Sequence, residues 1–140
     1  MFTVSHIGVC VSDLERSLRF YCDGLGFEKA ETHLIDNTFA DGLEVERDVD
    51  LDSVFIRHDG LSIELLYYRS PAPTGHPSAS RGQLGLTHLS FVVDDVDAAV
   101  AALVEAGGTL LEATRTKAPG VDLVFLADPD GTRVELMALA

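Results

Sequence analysis

The feature that most constrains this chain is an internal repeat. Ser5-His6-Ile7-Gly8-Val9-Cys10-Val11-Ser12-Asp13-Leu14 returns as Thr87-His88-Leu89-Ser90-Phe91-Val92-Val93-Asp94-Asp95-Val96, with the two histidines 82 residues apart. Asp59-Gly60-Leu61-Ser62-Ile63-Glu64-Leu65 returns as Asp130-Gly131-Thr132-Arg133-Val134-Glu135-Leu136. Each half therefore opens on a strand-like run with a histidine and closes on one with a glutamate. Repetition on this scale marks one supersecondary unit used twice, so the fold must be a tandem of equivalent modules.

The elements of a module follow from local pattern. Val4 to Val11 alternates as a strand, with His6, Gly8 and Cys10 on one face and Ile7, Val9 and Val11 on the other. Ser12 and Glu15 have capping-box spacing and start a helix. Leu14, Leu18, Tyr21 and Leu25 give that helix an apolar stripe, and Gly24 and Gly26 end it. Phe27 to Leu34 reads as a strand, and the acidic stretch 35–50 as loop with at most a short helical turn. Leu51 to Arg57 and Leu61 to Tyr68 flank Asp59-Gly60, a hairpin signal. Residues 69–85 carry Pro71, Pro73, Pro77, Gly75, Gly82 and Gly85 and read as a linker. The second half repeats the order. A strand at Leu86–Val93 leads to a helix capped by Asp94 or Asp95, with Val96, Ala99, Val100 and Leu103 inward and Gly107-Gly108 as its stop. Strands follow at Thr109–Arg115, Val121–Ala127 and Thr132–Leu139. The expected architecture is a single α+β domain over 1–140: module one at 1–69, a linker at 70–85 and module two at 86–140, each β-α-β-β-β.

Charge narrows the function. With 23 acidic and 10 basic residues the net charge is −13, which argues against nucleic acid, since such binding depends on Lys and Arg neutralising phosphates. No apolar run approaches the ~18 residues that span a bilayer, so no membrane partner is expected. The first residues lack the basic and apolar regions of a signal peptide, which favours the cytoplasm. The acidic cluster Asp41, Glu44, Glu46, Asp48 and Asp50 lacks the spacing of a calcium loop. Cys10 and Cys22 form no CxxC pair and are expected to be buried, reduced thiols.

The chemistry lies in the repeated polar residues. Glu64 sits among Ile63, Leu65 and Leu66, and Glu135 between Val134 and Leu136. A carboxylate in so apolar a strand is costly without a partner, and a cation is the simplest one. A lone strand histidine is usually structural, but two histidines and two glutamates at equivalent positions of two modules can converge under pseudo-twofold pairing. Imidazole nitrogens and carboxylate oxygens suit a divalent first-row metal such as Zn, Ni, Co, Mn or Fe. His33, His58 and His76 read as surface groups. Tyr67 and Tyr68 alternate faces, so one can line a cavity. Arg69, Arg115 and Arg133 suit either an anionic substrate or ordinary surface pairing.

These residues carry a specific resemblance. His6-Ile7-Gly8-Val9 with Asp13-Leu14, Phe20-Tyr21 and Leu25-Gly26-Phe27 resembles the vicinal oxygen chelate superfamily. So do Thr87-His88-Leu89-Ser90-Phe91 with Val93-Asp94-Asp95, and Asp128-Pro129-Asp130-Gly131 with Glu135. That group includes glyoxalase I, methylmalonyl-CoA epimerase, extradiol dioxygenases and bleomycin-resistance proteins. The resemblance implies two tandem βαβββ modules forming a cupped mixed sheet around a metal, with His6, Glu64, His88 and Glu135 as ligands. This set is similar to that of bacterial glyoxalase I. Related epimerases often place Gln at the position of Glu64, and the dioxygenases hold iron with two His and one Glu. The implied function is proton transfer beside a carbonyl of a small-molecule substrate, by a lyase, isomerase or epimerase, with Glu135 or Glu64 as base. The alternatives are a metal-free protein that sequesters an antibiotic or similar ligand, and an extradiol dioxygenase. A homodimer is expected in each case.

Overall fold

Alternating strands with one helix per half must bury an apolar sheet face beneath that helix, and the chain does this twice. The structure, a computed structural model, describes residues 1–140, which divide into two compact units, Met1–Gly75 and His76–Ala140. The first unit runs β1 (Ile7–Val11), α1 (Leu14–Leu18), a π-helical turn (Arg19–Gly24), β2 (Glu28–Ile35), a 3-10 turn (Asn37–Phe39), β3 (Asp50–His58) and β4 (Leu61–Ser70). The second runs β5 (Leu89–Val92), α2 (Val96–Glu105), β6 (Thr109–Ala118), β7 (Val121–Ala127) and β8 (Arg133–Leu139). Each unit is βαβββ, and the chain is an α+β protein.

Each unit holds one four-stranded mixed sheet, ordered β1-β4-β3-β2 in the first and β5-β8-β7-β6 in the second. β3 and β4 are antiparallel around Asp59 and Gly60, whose φ values of 45° and 79° give the left-handed pair a two-residue hairpin needs. β1 then lies parallel to β4, with Gly8 opposite Glu64. β5 lies parallel to β8, with Ser90 opposite Glu135. The crossover thus sets the strand that follows each histidine beside the strand that carries each glutamate.

Alternation decides which face each residue takes. Val54, Ile56, Ile63 and Leu65 are fully buried, as are Phe20 and Tyr21 from the helical segment. In the second unit Val124, Leu126, Val134 and Leu136 are buried, with Val96 and Leu103 from α2. Glu64, Leu66 and Tyr68 therefore project from the other face of β4, and Arg133, Glu135 and Met137 from the other face of β8. Part of that face in the first unit is covered by the loop before β3: Ala40, Val49 and Leu51 are buried, with Leu43, Val45, Leu66 and Tyr68 packed on them. The acidic loop is pinned at its neck, where Asn37 Nδ2 donates to Asp48 Oδ1 and Asn37 Oδ1 accepts from Val49 N.

Several local expectations change. The first strands begin at Ile7 and Leu89 rather than Val4 and Leu86, because ladder partners on β4 and β8 begin only at Ile63 and Val134. The first helix is capped by Asp13, not Ser12: Asp13 Oδ1 accepts from Arg16 N at 2.9 Å. Asp95 caps α2 by accepting from Ala98 N. The first helix is α-helical for only five residues. Its π-helical continuation, in which Leu25 N donates to Phe20 O, shifts the inward stripe and buries Ser17, Phe20 and Tyr21 while Leu14, Leu18 and Leu25 stay half-buried. Cys10 is exposed rather than buried, because it shares the open face of β1 with His6 and Gly8. Cys22 is half-buried; burial and then Asp23 push its thiol pKa up, which disfavours the reactive thiolate. No helix is long and apolar enough to cross a membrane.

The hairpin edges are tied by arginine. Arg69 on β4 donates to both carboxylate oxygens of Asp50 and of Asp52 across the ladder, at 2.6–3.0 Å. Arg115 on β6 binds Asp122 on β7 and Asp97 on α2. The Arg69 hydrogen bonds hold the Asp50 and Asp52 carboxyls below the usual range, and Arg115 does the same for Asp122. A lowered folded-state pKa adds stability above the ordinary carboxylate value of ~4, and that stability is lost as pH falls through the depressed value. The urea midpoint is therefore expected to fall as pH drops below ~4. Arg69→Gln should show a smaller fall over that window. Parallel pH profiles for the two proteins would refute this assignment.

Candidate metal centre

His6 lies one residue ahead of β1, and its imidazole turns over the open face of the sheet. Its Nε2 is 3.1 Å from Glu64 Oε2. Its Nδ1 is 2.8 Å from Ser5 Oγ. The ring stands edge-on to Phe55, with centroids 5.0 Å apart, and Phe55 is the cross-strand partner of Glu64. Ser53, buried on β3, donates to Glu64 Oε1 at 2.5 Å. The glutamate is thus held from both sides, one oxygen by a hydroxyl and the other facing imidazole.

The second unit rebuilds this arrangement. His88 Nε2 is 3.7 Å from Glu135 Oε2, and His88 Nδ1 is 2.8 Å from Thr87 Oγ1. His88 stands edge-on to Phe125 at 5.2 Å, and Phe125 faces Glu135 across the ladder. The supporting hydroxyl comes from a different strand: Ser90 on β5 donates to Glu135 Oε2 at 2.6 Å. At the position equivalent to Ser90 the first unit has Gly8, and there Ser53 takes over. The two carboxylates are therefore not equivalent. Glu64 has both oxygens engaged, whereas in Glu135 the serine and the histidine meet the same oxygen and Oε1 is left unclaimed.

The donor chemistry fits a divalent ion. Where the hydroxyl of Ser5 or Thr87 accepts from Nδ1–H, Nε2 presents a lone pair to a carboxylate oxygen, and a cation relieves the repulsion between them. Two ligands each ~2.1 Å from one ion lie roughly 3.0–3.4 Å apart, close to the 3.1 and 3.7 Å observed. Each unit brings two donors together. No group of three or more His, Cys, Asp and Glu side chains is gathered in a metal-holding arrangement.

The other candidates separate cleanly. Tyr68 is the tyrosine on the Glu64 face. Its hydroxyl pKa is pushed up first by burial, then by Cys10 and Glu64. Tyr67, on the opposite face, lies under the Arg69 guanidinium. His58 packs on Phe27, and His33 joins His6 against Phe55. Arg69 and Arg115 are committed to aspartates. Sequence reasoning missed the hydroxyls of Ser5 and Thr87 and the rings of Phe55 and Phe125, although both pairs occupy repeat-equivalent positions. It also missed Ser53, which has no such signal.

Two βαβββ units, each setting a histidine just ahead of one strand beside a glutamate on the parallel strand next to it, define a class of tandem-module proteins. A family model described as the Glyoxalase/Bleomycin resistance protein/Dioxygenase superfamily matches residues 3–136, and the chain belongs to that superfamily. Among curated proteins it is similar to the uncharacterized protein YaeR of Escherichia coli, at 35% identity over 136 residues, 95% of this chain and 93% of that protein. It is also similar to a probable lactoylglutathione lyase of Vibrio parahaemolyticus, at 27% identity over 137 residues, 96% of this chain and 88% of that protein. A crystal structure of a glyoxalase family protein from Bacillus cereus shares the fold, with a TM-score of 0.84 at 17% identity over 99% of this chain and 95% of that one.

Proposed function

We propose that this protein is a metal-dependent enzyme of the glyoxalase type, acting on a small carbonyl substrate by proton transfer beside the carbonyl. In this reading 1–140 acts as one domain, and His6, Glu64, His88 and Glu135 together hold one divalent ion, either within a chain or across a dimer. The ion supplies Lewis acidity that polarises substrate oxygens and stabilises enediolate charge. The observation that carries the reading is the unequal treatment of the two glutamates. Glu64, clamped by Ser53 and facing His6, is suited to a fixed ligand. Glu135 keeps one oxygen unclaimed and is suited to take the proton from carbon and return it. A lyase, an isomerase and an epimerase all use that step. Metal analysis of protein purified without chelators tests the reading: about one ion per chain supports it, and none defeats it.

One observation favours a second reading, a metal-free binding protein. The His6–Glu64 pair, at 3.1 Å, is within reach of a hydrogen bond that needs no ion. The same metal analysis separates the two.

We also propose a homodimer. β1, β2, β5 and β6 are sheet edges. Phe2 and Val4 ahead of β1, and Leu84 and Leu86 ahead of β5, are exposed at repeat-equivalent positions. Open edges flanked by apolar side chains favour pairing with a second copy. Sedimentation at micromolar concentration should give twice the chain's 15.1 kDa; a monomer throughout would contradict this.

A further inference from the structure

Resting on the proposed site, we infer that Arg133 anchors an oxyanion of the substrate and that the substrate is a small carbonyl compound bearing a carboxylate or phosphate. Four arginines lie in strands. Arg57 pairs with Glu31, Arg69 with Asp50 and Asp52, and Arg115 with Asp97 and Asp122. Arg133 is the exception. Its Nη1 donates to Gly131 O at 2.8 Å, and no carboxylate meets it.

Its position explains the exception. On β8, Val134 and Leu136 point into the core, so Arg133 and Glu135 share the opposite face. Residues two apart on a strand lie ~6–7 Å apart. A substrate whose reacting carbon lies at Glu135 Oε1 therefore reaches Arg133 with a group only a few bonds away. The backbone bond to Gly131 restrains the guanidinium while leaving donors for a bidentate oxyanion.

The test is an NMR titration of metal-free and zinc-loaded protein with three probes. 2-Oxobutyrate carries the carboxylate, dihydroxyacetone phosphate the phosphate, and 1-hydroxy-2-butanone is neutral. Wild type is expected to bind one of the anionic probes about tenfold or more tighter than the neutral one, as a charge-assisted hydrogen-bond pair implies. The tighter anion identifies the substrate's acidic group. Arg133→Gln should erase the preference in both forms, and Arg133→Lys should keep part of it. Circular dichroism and zinc content of the variants should match wild type. Absence of an anion preference in wild type, or its survival in Arg133→Gln, overturns the assignment. A preference that depends on Arg133 in protein that takes up no zinc would uphold the anchor and defeat the metal reading instead.

Discussion

Glu135→Gln is expected to lower kcat by about 10²–10⁴-fold, the usual contribution of a positioned general base, while KM and metal content change far less. Glutamine keeps the side chain's length and one oxygen donor, and the Ser90 hydroxyl can still donate to that oxygen. What it removes is the basic oxygen that neither Ser90 nor His88 occupies. Glu64→Gln is the informative control. Its carboxylate is engaged at Oε1 by Ser53 and at Oε2 by His6, an amide keeps one oxygen donor there, and related epimerases often carry Gln at this position, so the variant should retain metal and some activity. Steady-state kinetics on the hemithioacetal of methylglyoxal and glutathione is the first assay, given the similarity to a probable lactoylglutathione lyase. An inactive Glu64→Gln beside an active Glu135→Gln would exchange the two roles. Wild-type rates in both would end the carboxylate-base mechanism.

The second large effect concerns the ion. If all four donors share one metal, removing either pair destroys the site. His6→Ala with Glu64→Ala, and separately His88→Ala with Glu135→Ala, should each cut bound metal from about one ion per chain to nearly none, because two ligands seldom hold an ion that needs four. Elemental analysis of both double variants decides it. Retention of half the metal in each would mean that each unit binds its own ion. Circular dichroism should stay unchanged, since these side chains lie on the open face and not among the buried residues.

The sequence made the module order legible because it states the order twice. His6 with His88 and Glu64 with Glu135 stood out for the same reason, and the hairpin was read from Asp59-Gly60. Other features were hidden because they depend on tertiary placement. Nothing local distinguishes Ser53 from other strand serines; only the β3–β4 register brings it under Glu64. The π-helical turn departs from the 3.6-residue period, so a helical stripe does not point to Phe20 as buried beside Tyr21. Cys10 looked like an ordinary apolar strand residue until the exposure of its face was known. Arg69 and Arg115 looked as available as Arg133, and only their aspartate partners on neighbouring elements separate them.

The parallel pairing of β1 with β4 also governs when the ligand pair can exist. Glu64 belongs to a hairpin that closes over a two-residue turn, a local event with little chain to restrain. His6 reaches it only when β1 docks on β4, a pairing of strands separated in sequence by the helical segment, β2, the acidic loop and β3. Until β1 docks, the hairpin holds the glutamate without its imidazole, and only half of the pair is in place. The pair is complete only once β1 has docked on β4, an edge pairing in which β2 has no part, so any affinity for an ion that the pair confers would arise with that docking.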